Sequence, residues 1–245
     1  MKLVLDLGNT NKKICVFQQG RLVHLEISDQ LSLRTLKEVV SNHPQITDGI
    51  MASVVTIPAY LKNFLEEHLS RFIELNNRTP VPIVNKYKTP GRLGKDRLAC
   101  AVAGTSMFSG FPVLVINAGT CITYDFVNAG GEYLGGGISP GLRMRFRALH
   151  TFTEKLPLVD LAENVPLIGD DTEDSIASGV VNGVVEEIKG VVRLYRQQYP
   201  NLQVVLSGGD AEYLDKHMKI RIFAFPNIVL VGLYEILEYN LSNAR

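Results

Sequence analysis

The sequence has few cysteines, no excess of charge of either sign and no long apolar run. Its three cysteines, Cys15, Cys100 and Cys121, are far apart and match no metal-ligand spacing, which favours a reducing compartment. Because 25 basic residues balance 25 acidic ones, bulk binding of nucleic acid is disfavoured. Apolar runs such as 113–116 are far too short to span a bilayer, and the acid at position 6 is unlike a signal peptide. We therefore expect a cytoplasmic protein with neither a membrane nor a nucleic-acid partner.

Several common site motifs are also absent. Residues 89–96 end in Gly-Lys-Asp, but Thr89 stands where a Walker A loop has its first glycine, and Asp96 stands at its Ser/Thr position. No G-x-G-x-x-G sequence opens a helix after the first strand, and neither H-E-x-x-H nor C-x-x-C occurs. The sequence therefore lacks the common P-loop, dinucleotide and zinc signatures.

The patterns that are present predict an α/β fold. The chain has 245 residues, of which 46% are hydrophobic and 20% charged, an ordinary globular balance. This length suits one large domain or two of about 120 residues each. Apolar patterns predict three short strands in the first 27 residues, and helical spacing predicts helices at 33–40, 58–69, 94–108 and 174–199.

An internal sequence repeat indicates two related domains. Residues 3–10 and residues 114–120 are each an apolar strand followed by Asp or Asn, a spacer and Gly. Another apolar strand follows both copies within a few residues. Together with the break at Gly110-Phe111-Pro112, this repeat predicts domains 1–110 and 111–245.

The first copy of this pattern has a chemical use. Gly8 lets the backbone approach a phosphate closely, and backbone N–H groups with the Thr10 hydroxyl can bind its oxygens. Asp6 can hold magnesium, directly or through water, and Lys13 can neutralise phosphate charge. For a single copy a plain hairpin turn is the simpler explanation, since Asp, Gly and Asn are common in turns. Two copies facing each other across a cleft favour a phosphate site.

Two further glycine clusters each allow two explanations. Gly208-Gly209 follows an apolar strand and fits either a surface for a flat adenine ring or an ordinary strand-to-helix turn. The three glycines at 135–137 are costly in chain entropy. Either a close approach to a ligand or a sharp bend explains them.

The polar, glycine-rich segment 87–97 leads into a helix. Asp96 falls in the first helical turn, where it can simply stabilise the helix dipole. Alternatively, Asp96 accepts the proton of a substrate hydroxyl while Arg97 helps to bind an anionic group. A base for phosphoryl transfer needs position more than a raised pKa, because the chemistry is mostly alignment and charge stabilisation.

Taken in order, these segments resemble type III pantothenate kinases. The resemblance is carried by Asp6–Thr10, Gly94–Arg97, Asn117–Thr120 with Thr123 and Asp125, Gly136–Gly141, Lys155–Pro157, Asp171-Thr172 and Ser207–Gly209. Each motif alone is weakly specific, but the ordered set is quite specific and covers nearly the whole chain. The resemblance implies two RNase H-like domains of the actin-like superfamily of acetate and sugar kinases, with ATP in the cleft between them.

The resemblance also implies an activity and a site. Members of the family transfer the γ-phosphate of ATP to the terminal hydroxyl of pantothenate, the first step toward coenzyme A. The implied general base is Asp96. The residues implied around the ATP phosphates are Asp6, Gly8, Asn9, Thr10, Asn11, Lys12, Lys13 and Thr120. Those implied to hold pantothenate are Tyr87, Gly94, Lys95, Asp96, Arg97 and Thr172.

The family also implies a homodimer, in which Thr172 comes from the partner subunit, and a need for a monovalent cation. At position 117 the family usually has an Asp that helps to bind potassium or ammonium, whereas this chain has Asn117. Asn keeps a carbonyl oxygen but loses a full charge, so its attraction for a cation falls. Lys95 replaces the small residue usual between Gly94 and Asp96, where it either adds charge near the pantothenate carboxylate or points to solvent.

Two other functions stay open at this point. A non-catalytic, regulatory relative with the same fold is favoured only by Asn117, because Asp6, Lys13 and Asp96 are all retained. A kinase of the same fold that phosphorylates a sugar or another small alcohol is the third hypothesis.

Overall fold

The structure is a computed structural model in which residues 1–243 are described, and it is mixed α/β as the sequence predicts. The strands are β1 (Lys2–Leu7), β2 (Lys12–Gln18), β3 (Arg21–Ser28), β4 (Asp48–Ser53), β5 (Arg71–Glu74), β6 (Val84–Asn85), β7 (Val113–Ala118), β8 (Cys121–Val127), β9 (Glu132–Pro140), β10 (Gln203–Ser207) and β11 (Phe223–Ala224). The helices are α1 (Leu33–Asn42), α2 (Ala59–His68), α3 (Lys95–Met107), α4 (Leu142–Thr151), α5 (Thr172–Gln198), α6 (Ala211–Met218) and α7 (Ile228–Ser242), with a 3-10 turn at Pro90–Arg92. Within residues 1–243, every helix falls short of the length or apolar character that a bilayer crossing requires.

The chain forms two compact units. The first contains Met1–Met107 together with the residues from Asn227 onward, and the second contains Phe108–Pro226. The predicted boundary near residue 110 lies close to this division. The predicted second domain, 111–245, differs from the second unit at its end, because α7 belongs to the first unit.

Close packing of two helices explains where α7 belongs. Gly232 of α7 lies so near Ala99 of α3 that a Cβ at position 232 would overlap the Ala99 carbonyl oxygen. Both helices are apolar over much of their length, and residues such as Leu233 and Ile236 are fully buried. A local pattern indicates that α7 is buried, but it does not reveal which unit buries it.

The sheet of the first unit has β1 at its centre. Its strand order is β3-β2-β1-β4-β5, with β1 antiparallel to β2 and parallel to β4. Leu3, Val4 and Leu5 of β1 are fully buried, which follows from the continuous apolar run of a central strand. Because Asp6 lies directly after this run, its backbone position is fixed between Lys13 of β2 and Ala52 of β4.

The second unit repeats this topology. Among its strands the order is β9-β8-β7-β10-β11, with β7 antiparallel to β8 and parallel to β10. The repeat at 3–10 and 114–120 therefore corresponds to β1 and β7, the central strands of two sheets with the same strand order. Helix α5 covers this second sheet with an apolar stripe that includes Val181, Val184 and Ile188, all fully buried.

The glycine run at 135–137 lies within β9 and is explained by the neighbouring strand. Gly135 and Gly136 have φ values of 107° and 154°, and a Cβ on Gly136 would overlap the Tyr124 carbonyl oxygen of β8. The register of β8 and β9 also shifts between Phe126 and Val127. The glycines thus permit close approach of two strands, an explanation that the sequence did not suggest.

Candidate active site

Asp6 and Lys13 face each other at the ends of two strands in the first unit. They are directly paired in the antiparallel register of β1 and β2. Burial raises the pKa of Asp6 from its ordinary 3.8 to about 6, the nearby Lys13 ammonium opposes this rise, and the negative charge of Asp96 adds to it. Asp6 is therefore a carboxylate whose charge is incompletely balanced by the protein. That is the situation in which an added cation binds most favourably.

The turn between β1 and β2 is held by its own backbone and by Lys12. The Gly8 N–H donates to the Asn11 carbonyl at 3.0 Å. The Lys12 ammonium donates to the carbonyls of Gly8 at 2.8 Å and Asn9 at 3.2 Å. Asn9, Thr10 and Asn11 are exposed. Lys12, predicted to lie near the ATP phosphates, is thus engaged in shaping the turn that precedes it.

Lys13 is held by a residue that the sequence did not suggest. Its ammonium donates to Asn227 Oδ1 at 3.1 Å. Asn227 precedes α7 and adopts a left-handed conformation with φ of 56°, which Asn tolerates better than most residues. The two residues are 214 positions apart, so no local signal links them. An Asn directly before a helix is usually interpreted as a cap, although Asn227 makes no side-chain capping bond.

Asp96 lies in the first turn of α3, and its side chain folds back toward Gly94. A Cβ at position 94 would lie 2.5 Å from Asp96 Oδ1, so a larger residue there would displace the carboxylate. Asp96 is only partly buried. Because its charge raises the pKa of Asp6, the two carboxylates share one electrostatic environment. The fold therefore groups Asp96 with Asp6 and Lys13, although Asp96 lies far from both in sequence.

Arg97 and Tyr87 also come together. Arg97 has only 6% of its surface exposed, and its guanidinium carbon lies 5.9 Å from the centre of the Tyr87 ring, within the range of a cation–π contact. The Tyr87 backbone N–H donates to Asn85 Oδ1 at 3.0 Å. Neighbouring Lys95 is partly buried. A buried cation beside an aromatic ring suits an anionic ligand with an apolar body.

In the second unit, Asn117 lies near the end of β7, between strands that carry oxygen donors. It pairs in register with Thr123 on β8 and with Ser207 on β10. The Thr123 hydroxyl donates to Asp125 Oδ2 at 2.9 Å, and the Tyr133 hydroxyl donates to Asp125 Oδ1 at 2.8 Å. Asp125 is fully buried. This part of the sheet thus concentrates oxygen atoms and one carboxylate, which are ligands that hard cations prefer.

The turn at Gly119-Thr120 is enclosed by two other turns. A Cβ on Gly141 would overlap the Gly119 carbonyl oxygen, and a Cβ on Gly208 would overlap that of Ala118. The Gly141 N–H donates to the Thr120 carbonyl at 3.1 Å. Thr120 itself is exposed. Gly208 therefore has a packing role at this turn, with φ of 99°, which is compatible with the predicted strand-to-helix turn.

Thr172 begins α5 at the side of a groove of about 640 Å³. The groove is lined by Leu149, Leu156, Gly169, Asp170, Asp171, Thr172, Ser175, Ile176 and Gly179. Asp170, Asp171 and Asp174 bring carboxylate oxygens within 4.8 Å of one another here. Asp171 Oδ1 caps the helix by accepting from the Asp174 N–H at 2.8 Å. Helix capping thus explains part of this acidic cluster without a metal.

Comparison with known proteins identifies the family of this chain. Residues 2–194 match the family model for type III pantothenate kinase. A type III pantothenate kinase of Phocaeicola vulgatus is 45% identical over 240 residues, which cover 98% of this chain and 99% of that protein. The family predicted from the ordered motifs is confirmed.

Solved structures support the fold. A putative Baf family transcriptional activator from Campylobacter jejuni aligns with a TM-score of 0.60 at 20% identity, covering 98% of this chain and 99% of that one. MreB5 of Spiroplasma citri, solved with ADP, aligns with a TM-score of 0.51 at 13% identity, covering 99% and 97%. At these identities the likeness concerns the fold alone, and it confirms the predicted two-domain, actin-like architecture. The family model and the relatives together establish that this chain belongs to the type III pantothenate kinase family.

Proposed function

We propose that Asp96 is the general base of a phosphoryl transfer from ATP to pantothenate. We also propose that Lys13 and a magnesium ion held by Asp6 balance the negative charge of the phosphates. The kinase reaction itself, the first step of coenzyme A synthesis, follows from the family. The observation that carries the assignment of roles is the grouping of Asp6, Lys13 and Asp96 in one electrostatic environment. Asp96 accepts the proton of the pantothenate hydroxyl as its oxygen attacks the γ-phosphorus, and ADP leaves with the bridging electron pair.

The turn after β1 is the proposed cradle for the phosphates. Gly8, whose own N–H is bonded to the Asn11 carbonyl, lets the backbone approach closely, while the backbone N–H groups of Asn9, Thr10 and Asn11 and the Thr10 hydroxyl supply donors of the kind that phosphate oxygens accept. The exposure of residues 9–11 leaves this turn accessible. Lys13 contributes its charge from a position fixed by Asn227, whereas Lys12 acts mainly by shaping the turn. In the second unit, Thr120 is the proposed additional contact to phosphate.

We propose that Asp6 binds magnesium, directly or through water. The partly buried carboxylate and its raised pKa fit this role, because a divalent cation compensates the charge that Lys13 leaves uncompensated. Bound magnesium would screen the negative charge of the phosphates. Lys13 and the backbone of the turn then orient the nucleotide.

Pantothenate is the proposed ligand of Tyr87 and of the loop Gly94–Arg97. It has a carboxylate at one end and a primary hydroxyl beside a dimethyl-substituted carbon at the other, with a secondary hydroxyl and an amide between them. The buried Arg97 guanidinium fits the carboxylate, and the Tyr87 ring fits apolar atoms. Gly94 leaves room for the Asp96 carboxylate, which must reach the hydroxyl. Lys95 is proposed to add positive charge near the carboxylate.

We expect the family's reaction to be measurable as ADP release that requires ATP, magnesium and pantothenate together. Potassium and ammonium are each to be added to parallel reactions, because Asn117 supplies a carbonyl oxygen but no charge. We propose that a monovalent cation still binds beside Asn117 and Thr123, and we expect potassium or ammonium to increase the rate over sodium. Equal rates in all three salts would remove the cation from the proposal. Folded protein that releases no ADP with pantothenate under any cation would contradict the function, and a panel of small alcohols would then test the other kinase hypothesis.

We also propose a homodimer in which Thr172 contributes to the pantothenate site of the partner subunit. Thr172 is exposed, and nearby Leu167 and Ile168 are 82% and 83% exposed, a costly arrangement for two large apolar side chains in water. Sedimentation analysis should give twice the chain mass of 27.1 kDa. Mixing inactive Asp96→Asn and Thr172→Arg chains should restore activity if the site is shared. A monomeric and fully active enzyme would contradict this proposal.

A further inference from the structure

Arg143 and Asp210 form an unusual ion pair in the second unit. Arg143 is the second residue of α4, and its Nη1 donates to Asp210 Oδ1 at 2.7 Å. The side chain of Arg143 is 68% exposed, whereas that of Asp210 is 4% exposed. A buried acid thus holds an exposed base in one position. An exposed arginine without such a partner would sample many rotamers.

The usual explanation for an Asp at this place does not apply. Asp210 directly precedes α6, where an Asp commonly accepts a hydrogen bond from the first helical turn. Its side chain makes no such bond, and its backbone has φ of −100° and ψ of 4° rather than an extended conformation. Its second oxygen, Oδ2, is buried without a hydrogen-bond partner. Burying a carboxylate in this way is costly, so holding Arg143 is what the arrangement achieves.

The pair lies beside the turn at Thr120. The Asp210 N–H donates to the Ala118 carbonyl at 3.1 Å, and Gly141, which precedes α4, packs on Gly119. Arg143 and Asp210 therefore connect the two turns that enclose residues 118–120. Their charges are fixed at the one place in the second unit where the proposed function puts a phosphate.

We propose that Arg143 binds the phosphate chain of the nucleotide and that Asp210 is its positioning residue. The inference rests on the proposed function, which places phosphate at Thr120. A guanidinium has five N–H donors, and Asp210 is the hydrogen-bond partner of one of them. The remaining donors suit phosphate oxygens, to which Arg binds in a planar, forked geometry. Because Asp210 already orders the side chain, less conformational entropy is lost when the phosphate binds.

The first test compares Arg143→Gln with Arg147→Gln. Arg147 is exposed on the same helix one turn later, so it is a matched control for loss of one positive charge. We expect Arg143→Gln to raise KM for ATP and Kd for ADP by about tenfold to a hundredfold, as for loss of a charged hydrogen bond. KM for pantothenate should stay within about twofold, and Arg147→Gln should change neither constant. Equal effects of the two variants would overturn the proposal, because they would reflect general charge only.

A double variant separates nucleotide binding from folding. Arg143→Gln alone leaves a buried, unpaired carboxylate, whereas Arg143→Gln with Asp210→Asn removes both charges. If Asp210 acts through Arg143, the double variant binds ADP as weakly as Arg143→Gln does, and Asp210→Asn alone weakens ADP binding less. A folded double variant with wild-type affinity for ADP would overturn the proposal. An equal loss of affinity for adenosine would also overturn it, because the contact would then not be to phosphate.

The outcomes distinguish this inference from the proposed function. Wild-type protein that binds ADP and releases it in a pantothenate-dependent reaction supports the function whatever Arg143 does. If Arg143→Gln then leaves KM for ATP and Kd for ADP unchanged, only the role assigned to Arg143 is contradicted. Wild-type protein that does not bind ADP contradicts both.

Discussion

Asp96→Asn is expected to fold like the wild type and to lower kcat at least about a hundredfold, the low end for losing a positioned general base. Asn has nearly the same shape as Asp, so it fits the space that Gly94 leaves beside the side chain. It cannot accept the substrate proton. The measurement is kcat at saturating ATP and pantothenate, with the melting temperature of each variant recorded alongside.

Two controls make the Asp96 result interpretable. Asp29→Asn removes a negative charge from an exposed position of the same unit and should leave kcat unchanged. ADP should bind Asp96→Asn about as tightly as the wild type, because the proposed role concerns the hydroxyl and not the nucleotide. A variant with near-normal turnover would exclude Asp96 as the base.

Asp6→Asn is expected to abolish most activity and yet to make the free protein more stable. Moving the pKa of Asp6 from 3.8 to about 6 corresponds to about 3 kcal/mol of unfavourable charge burial. The folded state binds the extra proton more tightly than the unfolded state. The free energy of unfolding of the wild type therefore falls as pH rises from about 4 to 6, because the buried carboxyl group becomes charged. Asn at position 6 carries no charge and avoids this cost. At pH 8, without nucleotide or magnesium, urea unfolding should give Asp6→Asn a free energy of unfolding higher by up to about 3 kcal/mol.

The pH dependence of the Asp6 effect is its sharpest feature. Well below pH 3.8 the two proteins should have equal stability, because Asp6 is then protonated in both the folded and the unfolded state. Asp48→Asn is a control for which we expect the opposite change in stability, because the pKa of Asp48 is lowered by folding. Burial alone would raise the pKa of Asp48, but hydrogen bonds from Lys2 and Thr47 together outweigh burial and lower it. Asp48→Asn should thus be less stable than the wild type at neutral pH, with the difference fading in acid. Equal stability of Asp6→Asn and wild type at pH 8 would show that Asp6 is not strained by burial.

The expected gain in stability and the expected loss of activity have one proposed cause. A carboxylate that the protein leaves undercompensated is costly in the free enzyme, and the same deficit favours the cation that accompanies ATP. Functional sites commonly keep such locally unfavourable groups. Measuring both quantities on one variant tests whether Asp6 belongs to this class.

The sequence predicted much of the fold, because strong local patterns coincide with what tertiary packing requires. The apolar run at 3–5 corresponds to β1, and the helical pattern at 174–199 corresponds to α5. No residue range was predicted for helix α6, because it has only eight residues, although the strand-to-helix turn considered for Gly208-Gly209 leads directly into it. The role of the glycines at 135–137 in strand packing was not predicted, because the strand that crowds them is visible only in the assembled sheet.

The candidate site was predictable only where its residues are close in sequence. The segments 6–13 and 94–97 were found because each combines glycine with charge over a few positions. The partnership of Lys13 with Asn227, and that of Arg143 with Asp210, depend on contacts between distant segments. One sequence contains no signal that pairs such positions. The roles given to Asn117, Thr120 and Thr172 remain predictions from the family.

The placement of α7 has a consequence for the order in which the protein is assembled. The second unit is continuous in the chain, so all of its residues have been synthesised before α7 begins. The first unit is discontinuous, and the partner of Lys13 becomes available only once the ribosome has added residue 227. The half of the molecule that is translated first is therefore completed last. An interrupted translation product that ends before residue 227 contains every residue of 6–13 and 94–97, but Lys13 lacks the side chain that holds it.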